Sequence, residues 1–190
     1  MSQDWLDELV SRALQSGVGA VGCRLLYEDG TLQHAGFVAR ETADDFLTHE
    51  GVGEEGSEGG YLGRHALVHE TSAVTGACIA VRRELFQALG GFDAVQFPID
   101  GNDVDFCFRV RDAGYSVIYT PYATLYHLKS KTRGYGATEA ARDKAQQSLA
   151  RLWEMWSGKF TPDPYYNRHF DRTGQPFSRL RPPLESRAEL

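Results

Sequence analysis

Short strand-like and helix-like segments alternate through the middle of the chain, and this alternation constrains the fold more than any other feature. Ser72 to Val81 is a largely apolar, β-branched run that reads as a buried strand. Arg83 to Leu89 reads as a short helix stopped by Gly90 and Gly91. Asp103 to Ala113 reads as a second helix closed by Gly114, with Val104, Cys107 and Phe108 on its core face and Arg111 at the edge. Tyr115 to Thr120 is strand-like, Pro121 breaks it, and Ala123 to His127 is a further extended piece. Such alternation predicts a layered α/β or α+β domain.

The flanks extend this pattern. Trp5, Leu6, Leu9, Val10 and Ala13 fall at helical spacing within residues 4–15, with Asp4 as N-cap and Gly17 as stop. Val18 to Tyr27 and Thr31 to Ala39 read as strands joined by the turn Glu28-Asp29-Gly30, so 18–39 is expected to be a hairpin. Residues 41–60 mix acidic residues with glycines and read as a mobile loop, either a solvated insertion or a lid over a groove. Lys129 to Thr138 reads as a flexible polar loop. Glu139 to Trp156 is the longest helix, with Ala141, Ala145, Leu149, Leu152, Trp153 and Trp156 on one stripe. Five of the seven prolines fall after Gly158, so this tail is expected to wrap the surface and fray after about Arg181. The expected division is a domain over 1–170 and an extended tail over 171–190.

A length of 190 residues suits one domain, and 42% hydrophobic residues supply its core. The net charge of −6 argues against nucleic acid as a partner, because phosphate neutralisation needs clustered cations. Cys23, Cys78 and Cys107 are odd in number and form no CxxC pair. They read as reduced thiols of a cytoplasmic protein rather than a zinc ribbon or disulfide framework. No apolar stretch has the length of a membrane span, and Met1-Ser-Gln-Asp-Trp5 lacks the regions of a signal peptide.

The densest constellation is Asp100-Gly-Asn-Asp-Val-Asp105, at a loop-to-helix junction where a carboxylate is held ionised. Asp103 there suits a general base. Asn102 reads equally as an N-cap and Asp105 as its capping-box partner. Asp103 and Asp105 point about 200° apart on a helix, which opposes a shared metal ion. His127, at a strand end beside a polar loop, is either a packing residue or a metal ligand through neutral imidazole. Lys129, Lys131 and Arg133 form either a solvated cluster or a diphosphate clamp. Gly76 interrupts the apolar run, as glycines do where another group approaches the backbone.

These segments also form an ordered set. The run Val74-Thr-Gly-Ala-Cys-Ile-Ala-Val-Arg-Arg-Glu-Leu-Phe86 is followed by Leu89-Gly-Gly-Phe-Asp93, Asn102-Asp-Val-Asp-Phe-Cys-Phe-Arg109, Ala113-Gly-Tyr115 and Tyr126-His127. With Gly22 to Gly36 and Asp163-Pro-Tyr-Tyr-Asn167, this set resembles the family 2 glycosyltransferases of GT-A fold over about residues 4–170. The resemblance implies an α/β mixed sheet flanked by helices. It implies inverting transfer of a sugar from a nucleotide-sugar donor to a glycan or lipid-linked acceptor, in cell-surface polysaccharide or glycan biosynthesis.

The resemblance further assigns Asp103 as the base, His127 as a ligand of Mn²⁺ or Mg²⁺, and Arg133 with Lys131 as donor-diphosphate contacts. Gly90, Gly91, Phe92, Asn102 and Asp105 fall on the acceptor side. Two departures stand out. Asn102 occupies a position the family usually fills with Glu, and the nucleotide-binding half with its Asp-x-Asp metal motif has no counterpart in this sequence. The chain is therefore expected to be the C-terminal, acceptor-side portion. It is expected to self-associate or to join a separate N-terminal half, and to sit in the cytoplasm or peripherally at the inner membrane face. A non-catalytic module of the same fold, binding an acceptor or partner, is the alternative.

Overall fold

The computed structural model describes residues 2–98, 100–128 and 139–182. In chain order the elements are α1 (Trp5–Ala13), β1 (Val18–Leu26), β2 (Leu32–His34), β3 (Phe37–Ala39), β4 (Leu47–His49), β5 (His69–Glu70), β6 (Ile79–Val81), α2 (Arg83–Ala88), α3 (Asn102–Asp112), β7 (Ser116–Tyr126) and α4 (Glu139–Phe160). The expected α/β architecture, a mixed sheet flanked by helices, is present.

β1 is the axis of the sheet. β7 runs parallel along one of its edges, and β5 adds antiparallel to the far side of β7. Two short antiparallel strands share the opposite edge of β1. β6 pairs with Ala20 to Gly22, and β2 pairs with Leu25 and Leu26. Between them Cys23 and Arg24 have no strand partner on that edge among the described residues. Leu9 and Ala13 of α1 pack with Val21, Cys23 and Leu25 on one sheet face. Ala20 and Val117 on the other face join the core built by α3 and α4, where Val104, Phe108, Leu152 and Trp156 are buried. Sheet residues alternate between these two cores because successive side chains on a strand point to opposite faces.

Several expectations are corrected by long-range contacts. The 18–39 hairpin stops at His34, because Phe37 turns away to pair with His49 and to donate its N–H to Ala73 O at 2.9 Å. Residues 41–60 are not wholly solvated, and Phe46, Glu50 and Gly51 are buried. Phe46 is fully buried, and buried Glu50 forms a bidentate pair with Arg64 at 2.8 and 2.6 Å. Burial pushes the Glu50 carboxyl up, but hydrogen bonds from Arg64 and His69 outweigh it and hold the group below the usual carboxylate range. Only Ile79–Val81 of the 72–81 run is a strand; Ser72 to Val74 are buried in an extended connection, and Thr75 to Cys78 form a turn closed by Cys78 N–H to Thr75 O at 3.2 Å. Pro121 does not end β7. It sits in a bulge where Cys23 pairs with Thr120 and Arg24 with Thr124, so its missing N–H is not needed in the ladder.

Caps also differ. Asp4 holds the expected N-cap position of α1 but makes no side-chain capping bond. Gly101, not Asn102, is the N-cap of α3, in left-handed conformation at φ 87°, and Asn102 is the first helical residue. A Cβ at residue 101 would sit 3.2 Å from both Leu152 and Phe97, so the helix start and the α4 packing both require glycine.

The tail packs over the small β3–β4 sheet, as its expected wrapping requires. Tyr166 and Phe170 are buried against Val38, with Tyr61 and Phe177 beside them. Buried Asp163 accepts hydrogen bonds from Ala39 N–H and Ser72 Oγ, both at 2.6 Å. Burial raises its carboxyl above the usual value in spite of these bonds. Phe170 and Leu180 form a β-bridge across residue 170. Residues 183–190 lie outside the described part.

Candidate functional site

Asp103 lies in the first turn of α3 and is half-buried. One carboxylate oxygen accepts Gly76 N–H at 2.6 Å, and the other accepts Val104 N–H at 2.9 Å. The start of α3 presents its N–H groups at this carboxylate. A carboxylate has about four acceptor positions, so two remain for a further donor. The approach is close enough to require glycine at residue 76, since a Cβ there would lie 3.1 Å from Asp103 Cβ. The backbone approach expected from Gly76 is thus an approach by Asp103.

The turn that carries Gly76 is in turn held by β2. Thr75 N–H donates to Nε2 of fully buried His34 at 3.3 Å. Because Nε2 accepts there, Nδ1 of His34 carries the proton and donates to His49 Nδ1 at 2.7 Å. The adjacent Gln33 binds the other predicted site residue. Its Oε1 lies 2.6 Å from His127 Nδ1, and its Nε2 donates to His127 O at 3.1 Å. His127 N–H also donates to Leu26 O at 3.0 Å. Gln33 therefore engages Nδ1 and fixes the orientation of the ring.

Neighbouring residues of one three-residue strand thus lead to both Asp103 and His127. Neither Gln33 nor His34 was assigned a role from sequence. The available signal was two polar residues inside the apolar frame Leu32 to Ala35, which must find partners when buried.

Asp105 is 1% exposed and points into the core. Its Oδ2 accepts Arg109 Nε at 2.8 Å and its Oδ1 accepts Trp156 Nε1 at 3.0 Å, which ties α3 to α4. These bonds replace the capping-box contact expected of it. Arg109 then reaches Leu89 O at 2.5 Å and Gly91 O at 2.7 Å. The ion pair thereby fastens the Gly90–Gly91 turn, from which Phe92 emerges partly exposed against Phe86 and Phe106. Asp105 supports the predicted acceptor-side residues from within, while Asn102 stays half-buried at the helix start.

Arg133 and Lys131, the expected diphosphate contacts, lie outside the described residues. Among the described residues no three His, Cys, Asp or Glu side chains gather as a metal site, and no helix is long and apolar enough to cross a membrane.

Comparison with known proteins gives this arrangement a family. The sequence profile described as "Glycosyltransferase like family 2" matches residues 1–148. The chain belongs to that family. An uncharacterised protein of Sinorhizobium fredii is 37% identical to this family 2 chain over 167 residues, covering 88% of the chain and 18% of the relative. The O-antigen biosynthesis protein RfbC of Myxococcus xanthus is 39% identical over 170 residues, 89% of this chain and 13% of that protein. An N-acetylglucosaminyl-diphospho-decaprenol L-rhamnosyltransferase of Mycobacterium tuberculosis is 38% identical over 61 residues, 32% of this chain and 20% of that enzyme. This family 2 chain therefore spans less than a fifth of the first two relatives.

Proposed function

We propose that the chain is the acceptor-side part of an inverting glycosyltransferase of glycan biosynthesis, with Asp103 as the general base. The observation that carries this reading is the Asp103 carboxylate, held by Gly76 N–H and Val104 N–H at the positive end of α3. Sugar transfer needs an acceptor hydroxyl to lose its proton as it attacks the anomeric carbon, and a positioned carboxylate with spare acceptor positions does this. Its fixed orientation removes the need to reorganise during the step. The turn at Gly90 and Gly91, fastened by Arg109, is proposed as the acceptor-side wall, with Phe92 offering an apolar surface to a sugar ring.

A divalent cation fits His127 only as one ligand. Gln33 engages Nδ1, so ligation would be through Nε2, and the other ligands would come from outside the described residues. Bound there, such a cation would offset charge on the departing nucleotide diphosphate. Arg133 and Lys131 are proposed to contact the same diphosphate. The names of the Myxococcus and Mycobacterium relatives, an O-antigen biosynthesis protein and a transferase acting on a diphospho-decaprenol glycan, support a lipid-linked or cell-surface glycan acceptor. With a lipid-linked acceptor, a peripheral site of action at the inner membrane face is proposed.

The test is Asp103→Asn in the protein that contains this chain, assayed with a nucleotide sugar and a lipid-linked acceptor. We expect kcat to fall about 10²–10⁴-fold with donor KM nearly unchanged. Turnover equal to the parent's would remove Asp103 from the chemistry and favour the non-catalytic, acceptor-binding module.

A further inference from the structure

Cys23 and Cys78 are far apart in sequence, but the sheet brings them face to face. In the β1–β6 ladder Val21 pairs with Ala80 and Gly22 with Ile79, and that register, continued one step past the end of β6, sets Cys23 opposite Cys78. Cys23 is buried in the apolar cluster beneath α1, and Cys78 packs against the same cluster. Directly opposed residues of antiparallel strands have Cα atoms about 4.5–5.5 Å apart, within the range a disulfide spans. The two positions differ in access. Cys23 is 1% exposed, whereas Cys78 is half-exposed at the end of the Thr75–Cys78 turn.

We propose that Cys23 and Cys78 form a reversible cross-strand disulfide when the protein meets a hydroperoxide. The more accessible Cys78 thiolate attacks one peroxide oxygen. An S–O bond forms, the O–O bond breaks, and the released alkoxide takes a proton to leave as an alcohol, or as water from hydrogen peroxide. Cys23 sulfur then attacks Cys78 Sγ. The S–S bond forms, the S–O bond breaks, and the hydroxide departs as water with the Cys23 proton. Two thiols are oxidised by two electrons and one peroxide is reduced.

The directions in which the two thiols shift fit this division of labour. The adjoining Cys23 thiol holds Cys78 below the usual thiol range, although partial burial opposes it, and Cys78 together with burial holds Cys23 above. Cys107 is a built-in control. It is fully buried, its thiol is pushed up to about 12 chiefly by burial, and its contacts are to the Val74 backbone at 3.5 and 3.7 Å.

The bond would fasten the Thr75–Cys78 turn to the central strand, through the same turn that supplies Gly76 N–H to Asp103. The chemistry itself does not rest on the transferase reading.

The test treats the folded, reduced 190-residue chain with a slight excess of hydrogen peroxide, then counts thiols and maps the peptides. The expected result is loss of two of the three thiols, a Cys23–Cys78 linked peptide with two hydrogens fewer, and full recovery with dithiothreitol. In Cys23→Ser, Cys78 is expected to stop at the sulfenic acid and to be trapped by dimedone. That substitution is in the core, so a second measurement uses the unaltered chain. Phenylarsine oxide, which condenses with two adjacent thiols, should bridge Cys23 and Cys78 in the folded state and leave Cys107 untouched. Persistence of all three thiols, a linkage between Cys78 residues of two chains, or arsenical bound through Cys107 would each overturn the proposal.

Discussion

Asp103 and Asp105 share one turn of α3 and have opposite surroundings. The first meets two backbone N–H groups at a partly open edge, and the second is enclosed by Arg109 and Trp156. The helical rotation of about 200° between them makes one available to a ligand and the other part of the frame. Asp105→Ala leaves the Arg109 guanidinium short of its counter-charge and Trp156 Nε1–H without an acceptor. Loss of a buried partner of this kind costs about 3–5 kcal/mol. Urea denaturation should show a lowered midpoint with an unchanged slope, and a loss below about 1 kcal/mol would show that the pair adds little to stability.

The residue scale is also where sequence reading is least complete. The place of Asp103 in the first turn of α3 was legible, because Asp100 to Asp105 reads as a loop-to-helix junction. Gln33 and His34 were not, because their partners His127 and Thr75 lie 94 and 41 residues away. Composition likewise concealed Glu50, whose acidic neighbourhood reads as solvent-facing until Arg64 folds over it.

At the scale of elements, helices were the legible part. α2 stops before Gly90 and α3 before Gly114, where the chain's own local chemistry sets the ends. Strands were less so, because pairing is decided by residues elsewhere in the chain. β3 departs from its expected hairpin for β4, and β7 runs through Pro121 because β1 tolerates a bulge there. The start of α3 offers a further expected outcome. Gly101→Ala places a Cβ at φ 87° and within 3.2 Å of Leu152 and Phe97. Thermal unfolding should show a loss of about 1–3 kcal/mol. Wild-type stability in this variant would mean that α3 can start elsewhere without moving Asp103.

For the whole molecule, the buried histidines link folding to pH. Burial and the neighbouring His49 hold His34 well below its ordinary value of 6.5, and burial lowers His65 as well. The unfolded chain therefore takes up these protons at a higher pH than the folded one. Stability is fully present above about pH 6.5 and falls as pH drops through and below that value. The slope approaches about 1.4 kcal/mol per pH unit for each such group. Urea midpoints between pH 8 and 5 should trace this loss, and His34→Asn should flatten it by about one proton. A midpoint that stays constant down to pH 5 would contradict the neutral, donor-to-acceptor arrangement of His34.

The buried contacts of Asp163 set an order on synthesis. Asp163 accepts the N–H of Ala39 across 124 residues and the hydroxyl of Ser72 across 91. As the chain leaves the ribosome, β3 therefore emerges long before its acceptor does, and until then its polar backbone must stay wet. Contacts so distant slow the search for the native state and leave early strands open to other partners. A nascent chain stalled just short of Asp163 would hold both strands of the small β3–β4 sheet and the Ser72 connection without their clasp, the stage at which a chaperone that grips exposed strands would find most to hold.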